Sequence, residues 1–162
     1  MYHVIGVCTS KEGERLRTLN PLERIVFRSG HFHSRGYFSL IAPAFEQYAQ
    51  RDAKIGITSL HAQFHLRNHE LDEVLEILNN LEMELNQRPK SWQEYLGTIQ
   101  YPRQEPRPIQ PMLLRRRALR LVGTLRTFVL KAQAQNTGLA YGTGVCYRAL
   151  CGIELPPGSV YS

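Results

Sequence analysis

The chain has 162 residues, a net charge of +6, 43% hydrophobic and 21% charged residues, a balance that fits one folded domain and excludes wholesale disorder. No apolar run approaches the roughly 20 residues of a membrane-spanning helix, so no membrane partner is expected. Cys8, Cys146 and Cys151 are odd in number and suit a reducing compartment. The opening residues lack the basic lead and apolar stretch of a secretion signal, which makes the cytoplasm the expected location.

In chain order, Tyr2–Cys8 reads as a short strand. In Arg24-Ile25-Val26-Phe27-Arg28, Arg24, Val26 and Arg28 alternate with Ile25 and Phe27, the period of two of a half-buried strand. The polar run His31–Arg35 reads as a loop. Leu40, Ile41, Ala44, Phe45, Tyr48 and Ala49 recur at helical spacing, and Pro43, tolerable only in a first turn, places the helix start near Leu40 or Ile41. From Thr58 to Arg88 the apolar residues Leu60, Phe64, Leu71, Val74, Leu78, Leu81 and Leu85 predict one long helix, about 45 Å at 1.5 Å per residue. Residues 58–66 also alternate as a strand would.

Five prolines between Pro89 and Pro111 exclude helix interior there. Tyr95–Tyr101 suits a short strand and Pro102–Pro111 an extended connector. Pro111 then opens a third helix with Leu114, Ala118, Leu121, Val122, Leu125, Phe128, Val129 and Ala132 on one face. Asn136-Thr137-Gly138 stops it. Residues 145–151 suit a short helix, and residues 156–162 a tail beyond a single domain of residues 1–155. The fold class that follows is α+β and mainly helical: short N-terminal strands, then a long amphipathic helix and a basic amphipathic helix, a layout compatible with a ribbon-helix-helix.

Charge is segregated along this order. Glu70, Asp72, Glu73, Glu76, Glu82 and Glu84 decorate the long helix, whereas Arg103, Arg107, Arg115, Arg116, Arg117, Arg120, Arg126 and Lys131 crowd the connector and third helix against Glu105 alone. Only four of the twenty basic residues are lysines, and arginine's planar fork suits phosphate or carboxylate. A clustered basic face is the footprint of polyanion binding. Arg115, Arg116, Arg117 and Arg120 are therefore candidate phosphate contacts, unless they pair with the acidic helix. Arg24 and Arg28 are candidates on a β-ribbon shared across a dimer and laid in a groove, unless the strand is an edge blunted by charge.

His61, His65 and His69 are spaced by four, so a helix could offer paired zinc ligands. His61-Ala62-Gln63-Phe64-His65 lacks the glutamate of the zinc-peptidase pattern, and solvated polar residues are the plainer expectation. Cys146 and Cys151 lack the second pair of a zinc ribbon. No dinucleotide or phosphate-loop glycine pattern and no nucleophile elbow occurs. The expectation is a non-enzyme with no cofactor and no metal.

The run Leu121–Leu139, in the order of elements above, resembles the late helix of AcaB-like proteins of integrative and conjugative elements. The resemblance implies a dimeric ribbon-helix-helix regulator of transfer genes. Arg126 stands where that family commonly has an acidic residue, and the chain is shorter than the family norm. The leading expectation is a DNA-binding protein, DNA favoured over RNA, acting as a homodimer. The alternatives are an adaptor that associates through Leu71, Val74, Leu78, Leu81 and Leu85, or a metal-dependent enzyme using His61 and His65.

Overall fold

Three strands open the chain, β1 (Tyr2–Thr9), β2 (Arg17–Thr18) and β3 (Arg24–Arg28). The computed structural model describes residues 2–9, 17–18, 24–28, 30–54, 56–57, 63–143 and 160–161. β1 runs antiparallel to β3 and to β9 (Gly138–Thr143), whose far edge takes β4 (Gln63–Leu66). β10 (Val160–Tyr161) adds to the outer edge of β3 in parallel, and β2 pairs with β1. Part of the expected C-terminal tail is thus a sheet strand. β3 has neighbours on both edges, so it is not a ribbon open to a second chain.

Alternation decides the faces. Ile5, Val7, Ile25, Phe27, Phe64, Leu66, Leu139 and Tyr141 share the hydrophobic core with the helices. Val4, Val26, Arg24 and Ala140 fall on the opposite face and are buried as well. The Arg/apolar alternation of β3 therefore marks two buried faces rather than one wet and one dry.

Helix α1 (Phe32–Ile41) occupies the segment expected to be a loop. Its polar residues His31, His33 and Arg35 lie on the solvent side, while Ser34, Gly36, Tyr37, Phe38 and Ile41 are buried. Ser34 Oγ accepts the Arg28 amide at 2.7 Å, anchoring the helix entry to β3. Pro43 sits in a 3-10 turn, Ala42–Ala44, that leads into α2 (Glu46–Ala53).

The long helix starts later than its periodicity predicts. Phe64 and Leu66 are drawn into β4, where they meet Tyr141 and Leu139 across β9. The Glu70 carboxylate accepts the Arg67 amide at 2.7 Å, and α3 runs from Leu71 to Gln87. α4 (Arg115–Ala134) lies antiparallel to it: Gln133 donates to Asp72 at 2.6 Å, Arg126 pairs with Glu82, and Arg115 reaches Asn86. Leu71, Val74, Leu78 and Leu85 are buried in this intrachain packing, which takes up the face that the adaptor alternative reserves for a partner.

Pro111 lies outside α4, separated from it by a strand. Residues 91–114 form a two-stranded arm in which β5 (Ser91–Gln93) pairs with β8 (Met112–Leu114) and β6 (Thr98–Ile99) with β7 (Arg107–Pro108). Hydrogen bonds from Leu96 N to Ile109 O (2.9 Å) and from Ile109 N to Gly97 O (2.8 Å) join the two pairs. Of the apolar stripe expected for α4, Ala118 through Ala132 is buried and Leu114 is exposed. The helix stops as expected: Asn136 adopts φ +52°, and the Thr137 amide donates to Ala132 O at 2.8 Å. The expected helix over residues 145–151 lies outside the described residues.

Leu78 is fully buried between α3 and α4, so Leu78→Ala should cost about 2–5 kcal/mol in urea unfolding. A Cβ on Gly138 would lie 2.0 Å from the Leu66 carbonyl oxygen, a clash only backbone movement can relieve. Gly138→Ala should therefore destabilise by about 1–3 kcal/mol in the same assay.

Candidate functional site

The six arginines singled out by sequence do not form one site. Arg24 is 1% exposed and Arg28 is half-buried, both on a strand with neighbours on either edge. Neither can be laid in a groove as an exposed ribbon would be, which corrects the reading of β3 as a base-reading element. Arg115 is also drawn inward. Its Nη1 donates to Arg88 O at 2.7 Å and Asn86 O at 3.3 Å, a cation on the carbonyl end of α3 where the helix dipole favours it.

Arg116, Arg117 and Arg120 are exposed on the first half of α4. Arg116 and Arg120 are one turn apart and make no ion pair among the described residues. The guanidinium of Arg117 lies 5.8 Å from the centre of the Tyr37 ring, which ties this face to α1. Pairing with the acidic helix does occur, but through Arg126 and Glu82. Cation–acid neutralisation thus accounts for the middle of α4 and leaves its first turns cationic.

Beside these turns lies the arm, where the sequence predicts a short strand, Tyr95–Tyr101, followed by an extended connector, Pro102–Pro111. Residues 101–108 are all exposed and include Tyr101, Arg103 and Arg107. The arm is seated on α1 at a close approach: a Cβ on Gly36 would meet Leu113 Cδ2 at 2.9 Å and Pro111 Cγ at 3.1 Å. The Leu114 amide donates to Tyr37 Oη at 2.9 Å, and His33 Nδ1 donates to Met112 O at 3.1 Å. Between arm and helix runs a groove of about 460 Å³, lined by residues that include His31, Phe32, His33, Tyr101 and Arg107. Phe32 and Tyr101 keep 44% and 55% of their surface exposed. The N-terminus of α1 opens here with no acidic residue in its first turn and no side-chain cap, so its dipole adds positive potential. The prolines of residues 102–111, with Arg103 and Arg107 among them, are the trace of this surface in the sequence.

A larger cavity, about 880 Å³, is lined by His3, Arg35, Phe38, Glu46, Leu96 and others, and the Arg35 guanidinium lies 6.0 Å from the centre of the Phe32 ring in the groove. His3 is 5% exposed and stacks on Phe38 at 4.6 Å between ring centres. Its Nδ1 lies 2.6 Å from Tyr141 Oη, which donates onward to Ile57 O at 2.7 Å. Because a carbonyl can only accept, the tyrosine proton points to Ile57 and His3 Nδ1 carries the proton it shares with Tyr141. Nε2 is then the bare nitrogen. Burial first, and then nearby positive charge including Arg35, lowers the His3 pKa from 6.5 to about 4, which keeps the ring neutral. A single histidine in a strand offers no sequence signal for such a role.

The histidine trio does not assemble on a helix. His65 lies in β4 and His69 in a 3-10 turn, Asn68–Glu70, while His61 lies outside the described residues. His65 Nε2 is buried without a hydrogen-bond partner, and burial lowers its pKa. Among the described residues no group of three metal-ligating side chains occurs, and no helix is long and apolar enough to cross a membrane.

Comparison with protein families, with characterised proteins and with solved structures finds no match.

The His3 arrangement makes stability depend on pH. The folded protein holds His3 neutral down to about pH 4, whereas the unfolded chain protonates it near 6.5. Its contribution is therefore complete above pH 6.5 and declines as pH falls toward 4, by at most about 3 kcal/mol. Urea unfolding of wild type and His3→Gln at pH 7 and pH 4.5 should show the wild type losing more stability than the variant. Parallel declines would mean that His3 titrates as it does in water.

Proposed function

We propose that this protein binds nucleic acid, with duplex DNA as the favoured form, through the first turns of α4 and the adjoining arm. The observation that carries this reading is the exposed pair Arg116 and Arg120, one turn apart and outside the ion pairing that neutralises Arg126. Arg117 on the same turns and Arg103 and Arg107 on the arm extend the cationic surface. Phe32 and Tyr101 are exposed rings lining the groove that Arg107 also lines. Phosphate contacts of this kind position a protein on DNA without reading its sequence. The regulatory role in transfer of a mobile element, implied by the resemblance of residues 121–139 to AcaB-like proteins, is part of the same proposal, together with a homodimer whose contact does not use β3.

A titration against a duplex at several salt concentrations tests it. Removing one arginine that neutralises a phosphate should reduce the slope of log affinity against log salt by about 0.9. Arg116→Ala combined with Arg120→Ala should flatten the slope by about two and weaken all sequences alike. Equal slopes for the folded double variant and wild type, or no binding by wild type at low salt, would overturn the proposal.

A further inference from the structure

The geometry points to the His3 cavity as a binding site for a small aromatic organic acid, its carboxylate on Arg35 and a hydroxyl donor on His3 Nε2. The site is distinct from the α4 face and adjoins the arm groove through Arg35, whose guanidinium lies 6.0 Å from the centre of the Phe32 ring.

Three features define the ligand. The cavity, at about 880 Å³, has the size of a small-molecule site, and its walls are mostly apolar, with Phe38, Pro43, Ile57 and Leu96 among them. An apolar cavity holding a few convergent polar groups is the usual form of such a site. The polar groups are unlike one another. Arg35 is the lining cation, and its forked donors match a carboxylate. His3 is held by Tyr141 and Ile57 with Nε2 as its acceptor, so it takes a donor from the ligand and rejects a second acceptor. Glu46, also on the wall, already accepts from Ile57 N and Gln50 Nε2, each at 3.2 Å. Glu46 therefore disfavours an anion at its own end and directs the carboxylate toward Arg35. The His3 and Phe38 rings, stacked on one another, present only their edges to the cavity, and ring edges suit the face of an aromatic ligand in an edge-to-face contact.

The test uses 4-hydroxyphenylacetate as probe, with phenylacetate lacking the donor and 4-hydroxyphenethylamine lacking the acid. Binding is followed by calorimetry and by the ring 15N resonances of His3. Saturable one-to-one binding of 4-hydroxyphenylacetate should move the His3 Nε2 resonance. Both partial analogues should bind at least about tenfold more weakly, the loss expected for one hydrogen bond to a charged or buried partner. Arg35→Gln, a change on the solvent-facing side of α1, should weaken the full probe by a similar factor. Pro43→Trp, which fills the cavity from the 3-10 turn, should abolish binding while α4-dependent DNA binding persists. Absence of saturable binding to the folded wild type would overturn the proposal, as would equal affinity for all three compounds or an unshifted His3 resonance at saturation.

Discussion

The structure hangs on the pairing of β1 with β9, which joins residues near the start of the chain to residues 138–143 in six successive register pairs, from His3↔Thr143 to Cys8↔Gly138. Closing so long a loop costs entropy that grows only slowly with length, and the buried apolar residues of both strands offset it. Two local details permit the pairing. Asn136 turns the chain sharply out of α4 in a left-handed conformation, and Gly138 lets β9 approach the Leu66 carbonyl more closely than any side chain would allow. Since α4 runs directly into β9, fixing that strand also fixes the helix across β1. α3 is then held against α4 by leucines and by the Arg126–Glu82 pair.

Helix α1 is the element around which the functional surfaces are arranged. Its inner side supplies Tyr37, Phe38 and Ile41 to the core, and Gly36 admits the root of the arm. Its outer residues His31, Phe32 and His33 line one groove, and Arg35, over the Phe32 ring, lines the neighbouring cavity. The arm contributes to both, through Tyr101 and Arg107 on one side and Tyr95 to Gly97 on the other. A cationic, aromatic groove and a mostly apolar cavity with a neutral histidine at its wall thus share one surface helix.

The arginines show how weakly composition constrains electrostatic role. Arg24 is buried in the sheet, Arg115 serves the carbonyl end of α3, Arg126 pairs with Glu82, and Arg116 and Arg120 face solvent. These side chains are chemically identical and several are neighbours in sequence. What separates them is the direction in which a helix or strand points each one, and which acceptors lie there.

Much of the fold was legible in the residue pattern. The short strand run of β1, the period-two run of β3, the leucine spacing of α3, the apolar stripe of α4 and its stop at Asn136 are local properties, set by side-chain periodicity and backbone preference. Other elements were decided by contacts between distant residues. Phe64 and Leu66 left a helical stripe for β4 because β9 offered an edge, and the polar run before Arg35 became helix because only one side of it had to be buried. Residues 102–111 became part of a paired arm rather than a connector because their hydrogen-bonding partners lie across the hairpin, on the segment expected as a short strand. The candidate sites divide the same way. The cationic character of α4 is written in its sequence, but which arginines remain exposed is not. Nothing near His3 in the chain announces Tyr141, 138 residues away, whose hydroxyl orders its protons. Local pattern determines which segments can be helix or strand; tertiary packing determines which groups meet, and therefore which of them are left to meet something else.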